Sequence, residues 1–187
     1  CDLTAFGRTG PMAGEAYSES QIQALAGIME TTGLADGPPV AIGAPVIELS
    51  TGLYAAAAVL AALRVRGASG RAQRIDMALY DVAVNTLSTF LPAHYGGVQL
   101  ARLGNAHSLV CPWNAYRASD GWVLICCPSE PHWQRLCQVM DRADLVDEPA
   151  YANRDNRIAA RAEIDQVVEA WTSGRSVSVC VEALTAA

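Results

Sequence analysis

Apolar and polar positions change period several times along the chain, and each change marks an element. "CDLTAF" alternates briefly and predicts a short strand, followed by the Gly- and Pro-rich loop "GRTGPMAGEAY". "SESQIQALAGIMETTG" predicts a helix. Ser18 and Gln21 form a capping-box pattern, Ile22, Leu25, Ala26 and Met29 share one face, and Gly33 is the stop. A loop, "LADGPPVAIGAP", leads to an Ala- and Leu-rich helix expected over residues 50–66. This helix is apolar on most sides and is therefore expected to be buried, against a sheet. "RIDMAL" predicts a short strand and "YDVAVNTLSTFLPAHY" a helix bounded by Pro92.

After "GGVQLARLGNAHS" the texture changes. "WNAYRASDGWVLICC" reads as two aromatic-rich strands around a Ser-Asp-Gly turn. "EPHWQRLCQVM" sets Trp133, Leu136, Cys137 and Met140 at core spacing on a helix. "RIAARAEIDQVVEAWTSG" predicts one further amphipathic helix, with Ile158, Ala162, Val168 and Trp171 near one face, and another helix opens at Ser176. The pattern reads as an α/β chain with a boundary near residues 96–106, which separates a domain over residues 1–95 from a second over 107–187.

Composition narrows the class. Of 187 residues, 51% are hydrophobic and 17% charged, which excludes a disordered chain. The formal net charge is -6 and all 13 basic residues are arginine, scattered along the chain, so neither nucleic acid nor an anionic membrane is an expected partner. Six cysteines, without a CxxC pair or zinc-type spacing to His94, His107 and His132, predict buried thiols in a reducing cytoplasm and no metal site. The 15-residue run from Leu49 to Leu63 falls short of the ~18 residues of a membrane span and reads as a core helix. The chain opens without methionine in mid-strand and stops inside an apparent helix, so both ends are expected to be cuts.

One carboxylate stands out. Glu48 precedes the Ala-rich helix, where an acidic residue stabilises the exposed N–H groups by ~0.3–1 kcal/mol and needs no further explanation. Alternatively it is a nucleophile or a general base in a cleft flanked by Gly43, Ala44, Ser50 and Gly52. Ala16, Tyr17, Ser18 and Glu19 stand before a helix N-terminus, where N–H groups hold a phosphate or carboxylate, although simple capping by Ser18 explains the pattern equally well. Asn105 and His107 sit together in the interdomain segment "GNAHS", and a loop histidine is most often only a strut.

The order of "TAFGRTGP", "QALAGIMETTG", "DGPPV", "VIELSTGLYAAAAVLAALRVR", "GRAQRIDMALYD", "RLGNAHS", "AYRASDGWVLI", "WQRLCQVMDRADL" and "EALTAA" resembles the class III (CaiB/BaiF-type) CoA-transferases, which include carnitine CoA-transferase, formyl-CoA transferase and α-methylacyl-CoA racemase. The resemblance implies part of a Rossmann-like large domain, a linker and a small α+β domain. It also implies interlocked homodimers, acyl-CoA and a small carboxylic acid as substrates, coenzyme A arriving with the acyl-CoA, and no other cofactor. The family's N-terminal CoA-binding segment and C-terminal end are expected to lie outside this chain. The covalent nucleophile of the family is an aspartate in the segment matching "VIELSTG", and here that position is Glu48. The extra methylene moves the carboxylate by roughly 1.5 Å, and a displacement of ~1 Å can cost about 10²-fold. Residues 16–19, Asn105 and His107 become the expected contacts to CoA or substrate, with backbone N–H groups of "STG" as oxyanion donors. The racemase branch places a histidine near Ser18, which serine cannot replace, and the glycine loop of formyl-CoA transferase is absent near "HSLVC". An acyl-CoA isomerase using Glu48 as base, and an inert CoA-binding or dimer-scaffolding fragment, remain the alternatives.

Overall fold

The computed structural model describes residues 1–98 and 101–186. Gln99 and Leu100, which fall in the expected linker, lie outside the described residues. The chain divides into two compact units, Cys1–Gly104 and Asn105–Ala187.

In the first unit, β1 (Asp2–Thr4) pairs in parallel with β2 (Asp76–Ala78), Leu3 standing opposite Met77. Between them in sequence lie α1 (Glu19–Ala26) and α2 (Val46–Ser69), and after β2 come α3 (Leu79–Thr86) and α4 (Phe90–Tyr95). A core of Ala5, Ile22, Ile28, Ile47, Leu79, Ala83 and Leu87 joins these pieces. The described residues of 101–104 are fastened to this unit: Arg102 pairs with Glu30 at 2.9 Å and the Gly104 N–H donates to the Gly33 carbonyl at 2.8 Å.

Three expectations for this unit change. The helix foreseen to Gly33 ends at Ala26, because Gly27 takes the left-handed conformation (φ 88°) and a 3-10 turn, Ile28–Glu30, follows. Its inward face is Ile22 and Gln23, while Leu25 is exposed. The single helix foreseen over "YDVAVNTLSTFLPAHY" is two, broken at 87–89, and Pro92 sits in the first turn of α4, where its missing N–H costs nothing.

The largest correction concerns α2. It starts four residues earlier than expected, runs for 24 residues and stops at Gly70, whose φ of 71° lets its N–H bond Arg66 O at 2.8 Å. Only Ile47, Thr51 and Ala55 are buried, seating its first turns against α1 and α3. Besides them Leu49, Leu53, Leu60 and Leu63 are all exposed, so among the described residues this is not the buried core helix its composition predicted. By length and composition it is apolar enough to cross a membrane, although Arg64 and Arg66 interrupt its last turns.

The second unit is built on the antiparallel hairpin β3 (Trp113–Arg117) and β4 (Trp122–Cys126), closed around Ser119-Asp120-Gly121 as expected. Helices α5 (Glu130–Val139), α6 (Arg154–Ala159), α7 (Arg161–Ser173) and α8 (Val177–Thr185) complete it. Trp133, Leu136, Cys137 and Met140 are buried at the spacing the sequence predicted. The helix foreseen over residues 157–174 breaks at Ala160. Ile164 and Thr172 join Val168 and Trp171 in the core, while Ala162 faces out. Arg157 is buried, its guanidinium bidentate on Glu130 and bonded to the carbonyls of Cys111 and Tyr151.

Candidate active site

Glu48 lies inside the first turn of α2, not in front of it. The helix begins badly from its own sequence, because the N-cap residue is Pro45, which has no side-chain acceptor. Glu19, the first residue of α1, supplies the cap from elsewhere. Its Oε1 accepts from the Ile47 N–H at 3.1 Å and its Oε2 from the Glu48 N–H at 3.0 Å. The remaining early donors are also spent, Val46 N–H on Ala44 O and Leu49 N–H on Pro45 O.

Glu19, not Glu48, accepts the opening N–H groups of α2, while Glu48 stands as the acidic residue of its first turn. Among the described residues the Glu48 carboxylate itself makes no hydrogen bond and no ion pair, and the residue is exposed. The same geometry removes the expected oxyanion donors. Ser50, Thr51 and Gly52 are helical, so their N–H groups point back to carbonyls four residues earlier, and the Thr51 hydroxyl donates to Ile47 O at 2.7 Å.

Gln23 was not singled out by sequence, yet it completes the site. It is wholly buried, accepts from the Ile42 N–H at 2.8 Å, and donates through Nε2 to Ile42 O at 3.3 Å and to Glu19 Oε1 at 2.8 Å. The available signal was a polar pair four residues apart, Glu19 and Gln23, on the helix face that also carries Ile22 and Ala26.

The other candidates separate. Ser18 caps α1, its Oγ accepting from the Gln21 N–H at 3.3 Å. Ala16 lines a cleft of about 470 Å³ with Phe6, Met12, Gln21, Ala24 and Leu25. That cleft is on the opposite face of α1 from Glu19 and Gln23, and Glu48 does not line it. Tyr17 is exposed.

Asn105 and His107 belong to the second unit. His107 is held firmly: its ring lies 4.9 Å from that of Trp113, its carbonyl accepts from Arg161 at 2.7 Å, and its Nδ1 accepts from the Leu109 N–H at 3.1 Å. With Nδ1 as acceptor, the neutral ring carries its proton on Nε2 and offers a donor there. Asn105 is exposed. Concavities of about 190 and about 670 Å³ in this unit contain neither residue. Among the described residues no three His, Cys, Asp or Glu side chains converge as a metal site would require.

Residues 1–187 match the sequence profile of the family described as CoA-transferase family III. The succinate–glutarate CoA-transferase of Agrobacterium fabrum is 34% identical over 173 residues, covering 92% of this chain and 43% of that protein. The succinyl-CoA:mesaconate CoA-transferase of Haloarcula marismortui is 35% identical over 170 residues, covering 87% of this chain and 42% of that protein. A solved CAIB/BAIF family protein from Brucella suis superposes with a TM-score of 0.84 at 31% identity, over 98% of this chain and 49% of its own. The chain therefore spans less than half the length of these relatives.

Proposed function

The chain belongs to CoA-transferase family III, and on that premise we propose that it carries the nucleophile of an enzyme moving coenzyme A between an acyl-CoA and a carboxylic acid. The observation that carries the reading is the state of Glu48. It is an exposed carboxylate on a fixed helical turn, relieved of capping duty by Glu19 and engaged by nothing else among the described residues.

Glu48 attacks the acyl carbonyl, the C–S bond breaks, and CoA leaves as thiolate, giving a mixed anhydride of Glu48 and the acyl group. The thiolate attacks the glutamyl carbonyl, releasing the first carboxylate and leaving a glutamyl-CoA thioester. The acceptor carboxylate then attacks that thioester, CoA departs again, and its attack on the new acyl carbonyl frees Glu48. Each step exchanges one acyl bond for another, so the thioester energy is kept and no metal or redox group is called for. Ser18, spent on its cap and not a base, offers no partner for proton transfer at an α-carbon, which favours transfer over isomerisation. The relatives' names, succinate–glutarate CoA-transferase and succinyl-CoA:mesaconate CoA-transferase among them, support dicarboxylic acids as substrates and succinyl-CoA as the donor to test. In the same reading, residues 1–95 belong to the large domain and 107–187 to the small one, His107 contacts CoA or substrate, and the complete protein is a cytoplasmic homodimer.

The test is peptide mapping of the complete protein after incubation with succinyl-CoA and a hydroxylamine quench. A hydroxamate on Glu48 that disappears in Glu48→Gln is the expected result. Turnover with an unmodified Glu48 sinks the nucleophile and leaves Glu48 as a base.

A further inference from the structure

We propose that Gln23 is a positioning residue for Glu48, an assignment that rests on reading Glu48 as the nucleophile. A fully buried primary amide on a face carrying Ile22 and Ala26 must have its donors and acceptor satisfied, and it does so through Ile42 on the approach to α2 and through Glu19 one turn back on α1. Its amide pairs with both the N–H and the carbonyl of Ile42, as a neighbouring strand would. Its second donor holds Glu19 Oε1, and the two Glu19 oxygens hold the N–H groups of Ile47 and Glu48.

The segment Gly43-Ala44-Pro45, which has no capping side chain of its own, is thus gripped at both ends by one amide–carboxylate unit. The N–H groups of Ile47 and Glu48 are held from α1 as well as by the helix they open. Glu19 is accordingly a strut whose oxygens are committed, and the amide of Gln23 fixes which way that strut faces. A nucleophile displaced by ~1 Å loses up to about 100-fold in rate, so the clamp acts on catalysis through placement alone.

The experiment compares wild type, Gln23→Leu and Gln23→Met with Leu87→Val, which loosens the same hydrophobic core without touching the clamp. All are made in the complete protein. Amide hydrogen exchange over residues 42–49, the rate of Glu48 hydroxamate formation, KM for succinyl-CoA and the thermal midpoint are read together. Loss of the amide is expected to raise exchange at Ile42, Ile47 and Glu48 at least tenfold. Glu48 acylation should slow 10- to 100-fold with KM changed less than threefold, while Leu87→Val lowers the midpoint and keeps the rate. Either Gln23 variant acylating at the wild-type rate, or slowing only in proportion to lost folded protein as Leu87→Val does, overturns the proposal. Wild-type turnover without a Glu48 adduct is a different failure: it removes the nucleophile reading itself, whatever the exchange data show.

Discussion

Arg157→Met tests how the second unit is held together. The arginine side chain is 3% exposed, and its fork bonds Glu130 at 2.5 and 3.0 Å, Tyr151 O at 2.9 Å and Cys111 O at 3.2 Å. Its guanidinium also lies 5.4 Å from the Trp133 ring centroid. Methionine keeps much of the stem packing but strands two carbonyls, each costing ~1–3 kcal/mol, and removes a cation–π contact of ~0.5–2 kcal/mol. The Glu130 carboxylate is 51% exposed and returns to water, so the full ~3–5 kcal/mol for breaking a buried pair does not apply. Relief from desolvating the guanidinium offsets part of the loss, leaving a net destabilisation of about 3 kcal/mol. With a urea slope of ~2 kcal/mol/M, the midpoint should fall by ~1.5 M. All four tryptophans, Trp113, Trp122, Trp133 and Trp171, lie in this unit, so tryptophan fluorescence follows its unfolding selectively. A midpoint within ~0.3 M of wild type would refute the reasoning, because it would mean that the fork's partners are satisfied without it.

Glu48→Asp shortens the carboxylate by roughly 1.5 Å and should lower the acylation rate at least ~10-fold if this pocket is cut for glutamate; an unchanged rate in the hydroxamate assay refutes that fit. Arg161→Ala removes the donor to the His107 carbonyl. It should raise KM for the acceptor acid while shifting the tryptophan-monitored stability by no more than ~1 kcal/mol, and an unchanged KM would detach this loop from substrate. Burial pushes the thiols of Cys111 and Cys137 up to about 11 and that of Cys127 to about 12, from an ordinary value of 9.0. The folded state therefore keeps protons that the unfolded chain releases. Stability is insensitive to these thiols below pH ~9 and falls as pH rises towards 11–12, by up to ~1.4 kcal/mol per pH unit for each. Urea midpoints at pH 8 and pH 10.5 should differ accordingly, and Cys127→Ala should flatten the decline; an identical slope in that variant contradicts the account.

The features legible from sequence are those whose partners lie a few residues away. Ser18 and Ser176 cap their helices through N–H groups three residues on, Asp120-Gly121 turns the hairpin, and Trp133, Leu136, Cys137 and Met140 share a face within three turns. The family resemblance was likewise written in the order of local motifs, and the match over residues 1–187 shows it. What only tertiary structure decided involves residues far apart in the chain. Glu19 caps a helix whose N-terminus lies 28 and 29 residues later, and Gln23 pairs with Ile42 at a separation of 19. Neither separation leaves a periodic trace, because a cap supplied from another element obeys no fixed spacing. Composition misled most at α2, since an apolar helix is buried only where something packs on it, and the described residues cover little beyond Ile47, Thr51 and Ala55. Sequence marked Glu48 as a charge in an odd place; only the packing of α1 against the start of α2 showed that Glu19 takes the opening N–H groups of that helix.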